Sequence, residues 1–242
     1  MVHTLPDYTS KYKADTIFEI DDVGEAAARL GSIDTFDRRG NIMYLDDFEA
    51  PDLRWYPTTA GVGAAVSLNA CRARSGDQSV KLVTGNAIDN YAAINKYFQR
   101  PIPKRLGAEI SFTAIAETKD VHIQFAANYG SVQHIVELQV MPRTAVINYL
   151  DENGVYQELD GSYGFQTWNG PWYTIKLVAD FLENEYIRVI LGGKEYDMTG
   201  IPLREVGAGP KWFTTYSISH IAGTNANSTI YVDDFIYTQN EV

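Results

Sequence analysis

Apolar and polar side chains alternate in short blocks over most of this chain. Ala108-Glu109-Ile110-Ser111-Phe112-Thr113-Ala114-Ile115 is the cleanest case, and Val121 to Ala126 and His134 to Val140 repeat it. A period of two puts one row of side chains on each face of an extended strand, so these blocks predict half-buried β-strands. Further blocks lie at Ser79 to Val83, Tyr91 to Phe98, Ala145 to Leu150, Val155 to Leu159, Trp172 to Asp180, Tyr186 to Leu191, Lys194 to Met198, Phe213 to Ile221 and Thr229 to Thr238. Turn residues separate them. Asp151-Glu152-Asn153-Gly154 and Gly192-Gly193 are hairpin signals, and Pro101 and Pro103 stop the strand before them. The pattern predicts about eleven strands at sandwich spacing, hence one all-β, antiparallel jelly-roll sandwich over residues 45–242.

A matched pair of segments brackets that region: Leu45-Asp46-Asp47-Phe48-Glu49 and Val232-Asp233-Asp234-Phe235. First and last strands of a jelly roll commonly lie side by side, so these two are expected to be neighbours. Residues 1–44 read differently, as a short N-terminal arm. They begin polar and tyrosine-rich, with Tyr8 and Tyr12, and then offer one short helix from Asp21 to Leu30. The paired aspartates can cap it and Gly31 can end it. A helix of about ten residues is too short to stand alone. The arm is therefore expected to dock on a partner surface, with Tyr8, Tyr12 and Leu30 as anchoring residues. Ile33 to Tyr44 reads as a hairpin-like connection into the sandwich.

Composition narrows the function. The chain has 242 residues, of which 45% are hydrophobic, enough for a substantial core. Its 20 Lys and Arg face 31 Asp and Glu, a formal net charge of −11. That balance argues against nucleic acid as a partner, because phosphate binding needs a basic patch. The single cysteine, Cys71, excludes an intrachain disulfide and reads as a small packed residue. The first residues lack the basic and apolar regions of a signal peptide, and no run approaches the length of a membrane span. Folding in a cytoplasm and no membrane partner are the expectations.

The order of motifs carries a family likeness. Asp-Asp-Phe-Glu at 46–49, a Gly-x-x-Ser-Val-Lys-Leu run at 76–82, Trp-Tyr-Thr-Ile-Lys-Leu at 172–177, Tyr-Ile-Arg-Val-Ile-Leu-Gly-Gly at 186–193 and the closing Val-Asp-Asp-Phe resemble concanavalin-like and laminin-G-like jelly rolls and the carbohydrate-binding modules. The likeness covers about residues 45–240. Residues 5–13, 30–33 and 37–40 resemble the leader of uncharacterised structural proteins of tailed bacteriophages, in which a short arm precedes such a sandwich. That second likeness implies a virion protein made in the host cytoplasm, with capsid or tail subunits, or its own copies, as partners.

Candidate chemistry follows from the likeness and from the residues. The carbohydrate-binding relatives imply a structural calcium where the first strand, the Gly-x-x-Ser turn and the last strand meet. Here Glu49, Asp77 and Asp234 would be the ligands, with Asp47 and Asp233 as substitutes. Oxygen donors suit that hard cation; the alternative is that these acids cap strand ends. Trp55-Tyr56-Pro57 and Phe165 to Trp168 lie in loop-like stretches. Trp55, Tyr56 and Trp168 are thus candidates for glycan stacking or for a protein interface, whereas Trp172 reads as core. The Glu-x-Asp-x-x-Glu strand of the glycosidase relatives is missing, and Glu109 and Glu137 sit singly on strands where they could face solvent. His3, His122, His134 and His220 lack metal-ligand spacing and read as surface or sheet residues. No Gly-x-Ser-x-Gly elbow occurs. Two classes remain: a non-catalytic virion protein decorating a phage capsid or tail, and a lectin-like carbohydrate-binding domain.

Overall fold

The alternating blocks pair into two antiparallel sheets. The computed structural model describes residues 39–99, 104–115, 117–167 and 170–242. The first sheet has the order β12 (Lys194–Asp197), β11 (Glu185–Leu191), β10 (Trp172–Asp180), β6 (Arg105–Thr113), β14 (Thr229–Gln239), β4 (Ser79–Val83) and β3 (Ala65–Asn69), with β1 (Asn41–Asp46) also on β14. The second has the order β2 (Tyr56–Ala60), β5 (Tyr91–Gln99), β13 (Arg204–Ala222), β7 (Thr118–Met141), β8 (Val146–Leu150) and β9 (Tyr156–Asp160). The described residues contain no helix. The proposed helix at 21–30 and the anchoring residues Tyr8, Tyr12 and Leu30 lie outside them.

The two matched ends do meet. Residues 229–232 of β14 pair with β4, and residues 235–239 pair with β1 in a register that sets Asp46 opposite Phe235. One strand thus has two successive partners along one edge. The change falls at Asp233-Asp234, where the register with β6 shifts and Asp234 takes a left-handed φ of 49°. The shift makes this stretch a bulge.

Facing rows fill the space between the sheets. β6 contributes Leu106, Ala108, Ile110 and Phe112, β7 contributes Ile123 and Phe125, and β13 contributes Tyr216 and Ile218. β14 adds Val232, Phe235 and Tyr237. Each of the leucine, isoleucine, valine and phenylalanine side chains stabilises the fold by about 1.5–3 kcal/mol on burial. Trp55 joins them at 3% exposure, with its ring edge-on to Phe235 at 4.9 Å. This corrects the expectation that Trp55 is a surface aromatic. Cys71 departs the other way: it is exposed, in the turn after β3.

Three strands escaped the periodicity. β2 carries Pro57, which cannot donate a ladder hydrogen bond and is tolerated because β2 is an edge strand. β3 is the opposite sheet's edge, and β1 falls where a hairpin-like connection is expected from sequence. Conversely, the blocks 121–126 and 134–140 belong to one continuous element, β7. It folds back on itself. His122 touches Glu137 although the two are 15 residues apart, a separation of about 50 Å in a straight strand. Gly130, with a φ of 67°, supplies the reversal.

Candidate functional site

The second sheet turns one row of side chains inward and one outward, and the outward row makes the site. Ser217 and Ser219 of β13 alternate with buried Tyr216, Ile218 and His220. The register aligns Thr58 of β2, Ala93 of β5, Ser219 of β13 and His122 of β7 across the sheet, and the next outward row aligns Tyr56, Asn95, Ser217 and Gln124. Alanine and serines at mid-sheet are short, while the residues to either side are long. The result is a depression of about 250 Å³ lined by Thr58, Tyr91, Ala93, His122, Gln124, Glu137, Ser217, Ser219 and Ile221. Beyond it along the strands lies an aromatic strip. Tyr97 stands 5.5 Å from the Tyr56 ring and 5.8 Å from Phe213. Tyr56 and Tyr97 are 64% and 53% exposed, so their faces are open to solvent.

One wall of the depression is a polar cluster assembled by the fold-back of β7. His122 Nδ1 lies 2.7 Å from Glu137 Oε1, and Gln124 Nε2 donates to Glu137 Oε2 at 2.8 Å. The Tyr156 hydroxyl, from β9, donates to Glu137 Oε1 at 2.5 Å and sits 3.1 Å from His122 Nδ1. His122 Nε2 is 3.7 Å from Asp120 Oδ2, an ion-pair separation too long for a hydrogen bond. The main chain of the second arm is fixed from across the core: Glu137 N donates to the Tyr186 hydroxyl, which donates to Leu150 O. Glu137 is therefore buried and held, which corrects the expectation of a carboxylate facing solvent. Glu109 is buried too, at 3% exposure, on the other sheet.

Charge within the cluster is settled by its geometry. Burial pulls the His122 imidazole down, but Asp120 and Glu137 together push it up to about 9. Burial raises the Glu137 carboxyl, and its hydrogen bonds from His122, Tyr156 and Gln124 outweigh that and lower it. Burial and the neighbouring carboxylate hold the Tyr156 phenol above its ordinary range. The ground state is an imidazolium against two carboxylates. Its partners occupy both oxygens of Glu137.

The residues expected to hold calcium are placed together but committed elsewhere. Glu49 Oε1 accepts from Asp77 N and Gln78 N, both at 2.9 Å. Asp234 accepts from Arg74 at 2.7 Å and from the Ser75 hydroxyl at 2.6 Å. Asp233 Oδ2 accepts from the backbone of Arg74, and its Oδ1 from Asp234 N. Among the described residues no three of His, Cys, Asp and Glu are grouped as metal ligands. A guanidinium already supplies positive charge at Asp234, so the donor set does not fit a divalent cation.

Of the aromatic candidates, Tyr56 stands on this outer face, in the aromatic strip beside the depression; Trp55 is core, and Trp168 lies outside the described residues. His122, Gln124, Tyr97 and Tyr156 were not singled out from sequence. For the first three the signal was the outward row of the β7 and β5 alternation, which becomes a site only when the sheet order is known; Tyr156 comes to it from β9.

No protein-family model matches the chain, and no curated protein matches it in sequence. Solved structures share the fold. The chain is similar to the cellulose-induced protein Cip1, with a TM-score of 0.57, 17% identity and coverage of 82% of this chain and 98% of that one. It is also similar to an endo-β-1,4-glucuronan lyase from the fungus Trichoderma reesei, with a TM-score of 0.53, 10% identity and coverage of 83% and 96%. A sialidase matches over 76% of this chain and 17% of its own, at a TM-score of 0.48; this chain spans a small part of that protein. The likenesses to Cip1 and to the glucuronan lyase support the β-sandwich fold.

Proposed function

We propose that the protein is a glycan-binding β-sandwich whose ligand lies along the outer face of the second sheet. The observation that carries this reading is a depression lined by both apolar and hydrogen-bonding side chains, with exposed Tyr56 and Tyr97 in the neighbouring rows of the same face. Sugar rings offer flat C–H faces to aromatic side chains and hydroxyls to amides, hydroxyls and carboxylates, and this face presents both. Gln124, Ser217, Ser219 and Thr58 supply neutral hydrogen-bonding groups at the depression. The glucuronan lyase, one of the fold neighbours above, acts on a polysaccharide by its name.

Binding rather than cleavage is the activity proposed. Glu137 is occupied by three side chains, and the His122 proton is shared with it. The virion reading rests on residues 1–44 and on sequence likeness, to which the described residues add no observation. A glycan array with the full chain, followed by calorimetry on the hits, tests the proposal. Tyr97→Ala and Gln124→Ala should each weaken binding about tenfold, the loss of one stacking or hydrogen-bonding contact. The melting temperature of Tyr97→Ala should stay near that of the native chain, because Tyr97 is exposed, whereas Gln124→Ala also removes a donor to the buried Glu137 carboxylate and should lower it. Absence of binding to any glycan, or unchanged affinity in both variants, overturns the reading.

A further inference from the structure

We infer that the glycan accepted by this face is an uncharged chain, and that uronic-acid and sulfated glycans are excluded. This rests on the glycan-binding reading and goes further by assigning the ligand class. The lining residues include neither arginine nor lysine. Carboxylates and sulfates are recognised by guanidinium forks or by ammonium groups, and the depression offers none. Its one cation, His122, is held by Glu137 Oε1 at 2.7 Å, and its Nε2 is buried, facing Asp120 Oδ2 at 3.7 Å. Two carboxylates against one imidazolium leave the cluster one negative charge in excess.

The lysines on the flanking strands do not offset that excess. Lys96 of β5 donates to Arg54 O at 3.0 Å and lies over the Tyr44 ring at 4.7 Å. Lys119 of β7 is paired with Asp89 at 2.5 Å. The chain as a whole is acidic, at −11, so the long-range field also opposes a polyanion. The rows towards the aromatic strip are neutral: Asn95 and Ser217 share the row next to Tyr97, and Thr215 and Ala126 share Tyr97's own row. Among the described residues that line the depression, the groups other than His122 are neutral donors, neutral acceptors, apolar side chains and the Glu137 carboxylate.

Calorimetry with matched hexamers tests the inference on the full chain. Cellohexaose, xylohexaose, laminarihexaose and N-acetylchitohexaose form the neutral set, and hexamers of glucuronate and galacturonate form the charged set. The best neutral ligand should bind at least about tenfold tighter than either uronate. Its affinity should also be indifferent to salt between about 50 and about 500 mM, since no charge pair forms. Thr58→Lys places an ammonium at the exposed edge of the depression, outside the Glu137 cluster, and should narrow the gap by raising uronate affinity. A uronate bound as tightly as the neutral set overturns the inference and leaves the glycan reading standing. Binding of none of the hexamers, with none on the array, removes both.

Discussion

His122 sits between two carboxylates, and that placement ties stability to pH. Its folded value of about 9 exceeds the unfolded value of about 6.5. The folded state then binds the proton more tightly than the unfolded chain. The resulting stabilisation is complete below pH about 6.5 and is lost as pH rises through about 9, at up to roughly 1.4 kcal/mol per pH unit. Denaturant melts across that window should show the decline in the native chain, and His122→Gln should flatten it. Parallel curves for the two proteins would show that His122 does not carry a raised value. His220 has the opposite environment. It is fully buried, contacts Thr118 and Ser228 through Nε2, and is pushed down to about 4 by burial. It remains neutral where His122 is charged, so the two histidines differ by surroundings rather than by spacing in sequence.

At the scale of elements, β1 and the entry to β2 are fixed by one carboxylate. Asp46 Oδ2 accepts from the Tyr44 hydroxyl at 2.6 Å and from Trp55 Nε1 at 3.0 Å, while Oδ1 accepts from Phe48 N at 3.0 Å. Phe48 takes a left-handed φ of 56°, a conformation held by these contacts and by its packing on Trp55. Asp46→Ala strands a buried indole N–H and a backbone N–H, and should cost about 2–4 kcal/mol in chemical denaturation. A loss below about 0.5 kcal/mol would mean that this connection is held by packing alone. The strand β6 was legible from the chain because apolar residues take one of its rows and mostly polar residues the other, although both rows are buried. So were the turns at Gly154 and at Gly192-Gly193, where all three glycines have positive φ. β2 was not legible, since Pro57 and four exposed positions give it the look of a loop. Trp55 was misread for the same reason: its neighbours in sequence are at the surface while its own ring is not.

At the scale of the whole molecule, function depends on pairings that no local pattern contains. Glu137 meets His122 because β7 reverses at Gly130, and Ser219 meets Ala93 and Thr58 because β13, β5 and β2 are adjacent. The acidic motifs at the chain ends were visible in sequence, yet their partner Arg74 was not, because it reaches them from the β3–β4 connection. Arg74 joins the Asp234 carboxylate, at 3% side-chain exposure, where β1, β4 and β14 converge. Burial and Asp234 raise Asp233 to about 7, so this corner already carries more acid than its one guanidinium balances. Removing Arg74 leaves a buried carboxylate without its cation. Arg74→Ala should destabilise the sandwich by about 3–5 kcal/mol, whereas Arg74→Lys, which keeps the charge and loses the fork, should cost less. Because the guanidinium stands in the native corner, the melting temperature of the native chain should be the same in millimolar calcium and in chelator. A rise with free calcium would show that a cation binds only the folded state, and that Arg74 yields Asp234 to it.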